Sequence, residues 1–129
     1  MRAGMIKRVA MAFGVIYLAA GILGMLPFLG GTFGMTPSNL LTIFSINLLH
    51  NLVHVGLGIA GLAAASSERN SRQYAQIVGI ALLLLGVIGI SDPVHGVLPL
   101  GGVDIVLHLL TGAVLAYFGF TTPVARRTA

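Results

Sequence analysis

Read for hydrophobic and polar positions alone, the chain is a series of long apolar runs separated by short polar stretches. The runs cover about residues 9–29, 40–65, 74–90 and 103–120. Runs of about 17–25 mostly apolar residues are long enough to cross a bilayer as helices. The breaks carry turn chemistry. "GGTFGMTPSN" is a Gly/Pro/Ser/Asn loop signal, and either Ser38 or Asn39 is placed to cap the second helix. "SSERNSR" separates the second and third runs, and "SDPVHGVLPLGG" the third and fourth. The pattern predicts an all-α fold: an integral membrane four-helix bundle forming a single transmembrane domain over residues 1–129.

Composition narrows the class. Of the 129 residues, 57% are hydrophobic and 8% charged, with mean hydropathy +1.00. Soluble domains carry roughly 25% charged residues, so too few charges are present to coat a soluble surface. Cysteine is absent, which excludes disulfides, thiolate metal sites and a cysteine nucleophile. The net charge of +4 would suggest nucleic acid in a soluble protein. Here the cations mark the ends of apolar runs, so the expected partner is the lipid bilayer and not nucleic acid. Arg2, Lys7 and Arg8 precede the first run, Arg69 and Arg72 lie between the second and third, and Arg126 and Arg127 follow the fourth. The positive-inside rule then places both termini and the middle connection in the cytoplasm of a cell (plasma or inner) membrane. A basic start before an apolar run also resembles a signal peptide, but an internal repeat argues that the first run is retained.

That repeat pairs "KRVAMAFGVIYLAAGILGM" with "RQYAQIVGIALLLLGVIGI". At an offset of 65, Lys7 meets Arg72, Gly14 meets Gly79, Gly21 meets Gly86 and Gly24 meets Gly89. At an offset of 54, the second run aligns with the fourth: His54 meets His108, Gly58 meets Gly112 and His50 meets Asp104. The chain therefore reads as two parallel helical-hairpin repeats. Asn47, His54, Gly58, Gly61 and Ala65 fall near one helical face, as do Asp104, His108, Gly112, Ala116 and Gly119. Small residues let membrane helices approach closely, so both faces are expected to point into the bundle.

The chemistry concentrates in a few polar residues. His50 and His54, and Asp104 and His108, are i,i+4 pairs on one face each. At 1.5 Å per residue, His54 and His108 lie roughly 17 Å from the inner boundary, at or just outside the midplane of a core about 30 Å thick. With Asn47 and Asn51 they form a polar cluster in the outer half. One reading makes these groups hydrogen-bonding pegs between helices. A second makes them a proton-sensing or channel-like element, because intramembrane ionisable groups often mark ion paths. A third is ligation through His54 and His108 of haem or a chlorophyll-type pigment. A fourth is a zinc site built from His50, His54, Asp104 and His108, with Asp92 and His95 of the outer loop as helpers. No cofactor is required by the sequence. No Gly-x-Ser-x-Gly, P-loop or His-Glu-x-x-His motif is present, so no enzymatic activity is expected.

"NLVHVGLG" (51–58) and "LHLLTG" (107–112) resemble an uncharacterised bacterial four-span membrane protein family, domain-of-unknown-function family four-three-eight-three. The likeness covers nearly the whole chain: a basic start, a Gly-bearing first span, an Asn-x-x-His motif at Asn51–His54 and a Leu-His motif at Leu107–His108. It implies an integral membrane protein and supplies no activity, substrate or cofactor. The expectation is a small multi-pass membrane protein with a structural or interaction role. Assembly into a homo-oligomer or larger membrane complex is expected too, since four short spans bury little area.

Overall fold

A computed structural model describes residues 4–123. Arg2, Arg126, Arg127 and the basic tail lie outside the described residues. Four helices dominate: α1 (Met5–Leu23), α2 (Leu48–Ala64), α3 (Glu68–Gly89) and α4 (Val103–Thr121). A single 3-10 turn covers Pro27–Leu29, and a small antiparallel hairpin pairs β1 (Ser38–Leu40) with β2 (Phe44–Ile46), Asn39 opposite Ser45. The fold is thus all-helical apart from this hairpin. By length and composition, α1, α3 and α4 are long and apolar enough to cross a membrane; α2 has 17 residues.

The helix boundaries differ from the apolar runs for identifiable reasons. α1 stops at Leu23, not near residue 29, because Pro27 holds Leu26 in an extended conformation (φ −84°, ψ 110°). α2 starts at Leu48, not near residue 40. The stretch 38–46 forms the hairpin instead, and its second strand carries Phe44 and Ile46, aromatic and β-branched residues that suit a pleated strand. The cap of α2 is Asn47, not Ser38 or Asn39: its backbone is extended, and its side-chain oxygen accepts from His50 N at 2.9 Å. α3 begins earlier than the apolar run, at Glu68, where Ser67 caps the helix by accepting from Asn70 N. Glu68 in the first turn suits the positive end of the helix dipole and accepts from Gly4 N at 2.7 Å. Ser71 donates to the Ala64 carbonyl at 3.0 Å, satisfying the end of α2.

α1 packs most extensively on α2, and α3 on α4. Both crossings depend on glycine. A Cβ built on Gly14 would lie 2.8 Å from Leu62 N and 3.0 Å from Gly58 O. One on Gly79 would lie 2.5 Å from Ala116 N and 3.1 Å from Gly112 O. Farther along, Gly21 abuts Val55 and Gly86 abuts Leu109. In each case the second contact lies 65 residues beyond the first on one helix and 54 beyond it on the other. Backbones this close gain dispersion contacts that a side chain would prevent.

Between the hairpins a core of Ile6, Ala10, Tyr17, Ala75, Leu82 and Leu115 is buried. Val15, Ile16, Leu84, Val87, Leu110 and Phe120 are exposed on the outer faces. Large apolar side chains on the outer faces, with glycine at the helix crossings, are the arrangement a hydrocarbon solvent favours. At one end of the bundle Gly4 meets Glu68, and Lys7 and Arg8 line a recess with Ala65. At the other end lie the β-hairpin, the loop 90–102 and the starts of α2 and α4.

Candidate functional site

The site is built where α2 and α4 begin. Asn47 caps α2 and also fastens two loops. Its amide donates to Met35 O at 3.0 Å and to Val97 O at 2.7 Å. The loop it holds is shaped by Asp92, in the left-handed region at φ 42°, a conformation Asp tolerates better than most residues. Asp92 Oδ1 accepts from Leu100 N at 3.0 Å, and Oδ2 lies 2.6 Å from His95 Nδ1. These contacts bring the Pro99 carbonyl over α2, 2.8 Å from His50 Nδ1. A carbonyl oxygen only accepts, so His50 Nδ1 carries the proton and Nε2 presents a lone pair.

That lone pair faces a carboxyl oxygen. His50 Nε2 lies 3.4 Å from Asp104 Oδ2, and both side chains are nearly inaccessible. The His50 ring stacks on His108 (centroids 6.2 Å apart, planes 23°) and meets His54 edge-on at 4.5 Å. One ligand nitrogen from each of His50, His54 and His108 falls within 4.8 Å of the other two. His50 and His108 are buried and His54 half-buried. Among the described residues, the buried side-chain atoms without a hydrogen-bond partner are His50 Nε2, Asn51 Oδ1, Asp104 Oδ2 and His108 Nδ1. Three of these belong to this one cluster, against the general rule that buried polar atoms find partners.

Two spaces adjoin the histidines. A cavity of about 20 Å³ is lined by His50, His54 and His108 together with Leu57, Leu82 and Leu98. That is room for about one water-sized occupant. A larger groove of about 130 Å³ lies between α1 and α4 and reaches Tyr17, His54, Asp104, His108 and Thr111. Tyr17 OH donates to Thr111 Oγ1 at 3.1 Å, and Thr111 in turn donates to Leu107 O. His54 packs against the Tyr17 ring at 5.5 Å.

The structure divides the candidate residues into two groups. His50, His54, Asp104 and His108 come together. Asn47 and Asn51 face the loops instead, and Asn51 donates to Gly24 O at 2.8 Å and Thr32 O at 3.2 Å. Asp92 and His95 do not join the cluster, correcting the expectation that they assist its metal site: the loop needs Asp92 for its own bend, and His95 pairs with Asp92 at the surface. Sequence reasoning misses Pro99, whose contribution is a backbone carbonyl that no side-chain pattern reveals. It also does not decide whether Tyr17 belongs to the interface or the core; the structure buries it.

No curated protein and no solved structure is matched by this chain. Residues 7–121 match the domain of unknown function DUF4383, and the chain belongs to that family.

Proposed function

We propose that this is a four-span membrane protein whose histidine–aspartate cluster is a binding site for a cation, placed in the half of the bundle away from the cytoplasm. The observation that carries the reading is the pair of facing, unpartnered atoms His50 Nε2 and Asp104 Oδ2, 3.4 Å apart in a nearly closed space. Two buried lone pairs aimed at each other repel unless a proton or another cation lies between them, and the site is shaped to take either. The unpartnered His108 Nδ1 adds a third acceptor site or donor to the same space. The two adjoining volumes, about 20 and 130 Å³, favour an ion over haem or a chlorophyll-type pigment, since pockets for larger ligands run to about 300–1,000 Å³.

The membrane setting rests on α1, α3 and α4 and on the apolar outer faces. At about 1.5 Å per residue, the 17 residues of α2 span about 25 Å, and the β-hairpin continues that element outward. Lys7, Arg8, Arg69 and Arg72 all sit at or near the Gly4–Glu68 end, and the loops at the other end contain no Lys or Arg. This supports termini in the cytoplasm of the cell membrane. The recurrence of glycine contacts at offsets of 65 and 54 supports descent of the two hairpins from one.

A binding site and a set of structural pegs respond oppositely to apolar replacement. A peg that is replaced leaves its partner unsatisfied, whereas groups kept for a ligand are a burden on the empty protein. In metal-stripped detergent solution, His108→Leu with Asp104→Leu is expected to leave thermal stability unchanged or raise it by up to about 2 kcal/mol. A loss of several kcal/mol would mean that the cluster holds the bundle together, and the binding reading would fall.

A further inference from the structure

We infer that His50, His54 and His108 hold a single divalent transition-metal ion of the zinc class, with one coordination position left open. This rests on the cation reading and names the cation. Three neutral imidazoles suit a borderline metal such as zinc, whereas magnesium and calcium demand oxygen ligands. The chain has no cysteine, so imidazole nitrogens are the donors the bundle offers to such a metal at this depth.

The groups that would orient the ligands are already in place. Metal-bound histidine usually donates its other ring N–H to a carbonyl or carboxylate, which fixes the ring and its tautomer. His50 does this through Nδ1 to Pro99 O, leaving Nε2 for the metal. The three ligand atoms lie within 4.8 Å of one another. Tetrahedral zinc with bonds of about 2.0–2.1 Å needs them about 3.4 Å apart, so the rings close by roughly an ångström on loading. Asp104 Oδ2, beside His50 Nε2, supplies the negative charge that keeps a dication tolerable among leucines. The cavity of about 20 Å³ gives a water the fourth position. His54 is half-buried and borders the α1–α4 groove, so the open position faces a path by which a further ligand reaches the ion.

The test uses the full chain in detergent micelles, stripped of metal and dialysed against zinc chloride. The exposed His95–Asp92 pair is a competing surface site, so His95→Ala is the background for every measurement. One equivalent of zinc is expected in that background. His54→Ala and His108→Ala are expected to weaken binding at least a hundredfold, and Asp104→Asn about tenfold. Cobalt(II) titration of the background protein guards against variants that fail to fold. Four-coordinate cobalt absorbs intensely in the visible, and that band is expected at one equivalent. No zinc at one equivalent, zinc retained in both histidine variants, or a weak six-coordinate cobalt spectrum would each overturn the metal site. The leucine double variant separates the two levels of inference: if metal fails and that variant stays stable, the cation reading survives without a metal; if it is also destabilised, both fall.

Discussion

The two hairpins of this protein are alike at one end and unlike at the other. From the basic end through the middle of the bundle, α1 crosses α2 and α3 crosses α4 through the same kind of contact. Gly58 abuts Leu18, and Gly112 abuts Leu83, the residue 65 positions farther on. At the other end the equivalent positions carry different chemistry. His50 corresponds to Asp104, Asn51 to Ile105 and Asn47 to Gly101. Packing tolerates little variation because glycine is the residue that lets backbones touch. The polar ends are free to differ, and they meet each other: His50 faces Asp104, and His54 and His108 share one space. What is common to the hairpins makes the bundle, and what differs makes the site.

Asn47 offers the largest way to break this comparison, because Gly101 at the equivalent place has no side chain. Asn47 caps α2 and satisfies the Met35 and Val97 carbonyls from a fully buried position. Loss of a cap costs about 1 kcal/mol, and each of these two part-buried hydrogen bonds about 0.5–1.5 kcal/mol. Asn47→Ala is therefore expected to cost about 2–4 kcal/mol, measured by thermal unfolding in micelles, with faster amide exchange at His50. A cost under about 1 kcal/mol would show that the loops hold themselves and that Asn47 does not distinguish the hairpins.

The glycine contacts test the likeness. A Cβ on Gly58 would lie 2.6 Å from Leu18 Cα; on Gly112 it would lie 2.9 Å from Gly79 O and Leu83 N. Overpacking costs about 1–3 kcal/mol, against a gain of up to about 1 kcal/mol in helix propensity. Both Gly58→Ala and Gly112→Ala are expected to destabilise, Gly58→Ala more. The double variant should cost the sum, since the sites do not share partners. If Gly112→Ala is neutral, the two crossings do not carry equal weight and the likeness ends at the sequence.

The parts legible in the sequence are those governed by spacing. Gly14, Gly58, His54 and His108 stand out because helical periodicity and an internal offset both select them. The helices themselves arise from long apolar runs. The start of α2 is hidden because hydrophobicity alone does not separate a strand from a helix: 40–46 is as apolar as the helix after it, and the turn at 41–43, with Leu41 and Thr42 at positive φ, carries no Gly, Asn or Pro to mark it. His95 and Asp92 look like ligands by residue type, yet their loop pairs them with each other at the surface, away from the cluster. Pro99 is invisible because it acts through its backbone. The proximity of α2 to α4 at the histidines depends on helix packing, which no single run encodes.

The smallest effect sharpens the comparison most closely, at a position where one hairpin has an amide and the other a hydrocarbon. Ile105 abuts Gly89 as Asn51 abuts Gly24, so Asn51→Ile places in the first hairpin what the second already accommodates. The change removes donors from Gly24 O and Thr32 O. Gly24 O keeps Thr32 N as a partner at 2.8 Å, so its loss is partial. The substitution also removes Asn51 Oδ1, a buried oxygen with no partner of its own, which offsets part of the cost. The net loss is expected at about 1 kcal/mol, read as a small drop in thermal midpoint with exchange speeding up along the turn after α1. Zinc binding should be unchanged, because Asn51 bonds to that turn and not to the histidines. A large loss of stability would mean that Asn51 secures the helix crossing itself, and a loss of zinc would place it in the site.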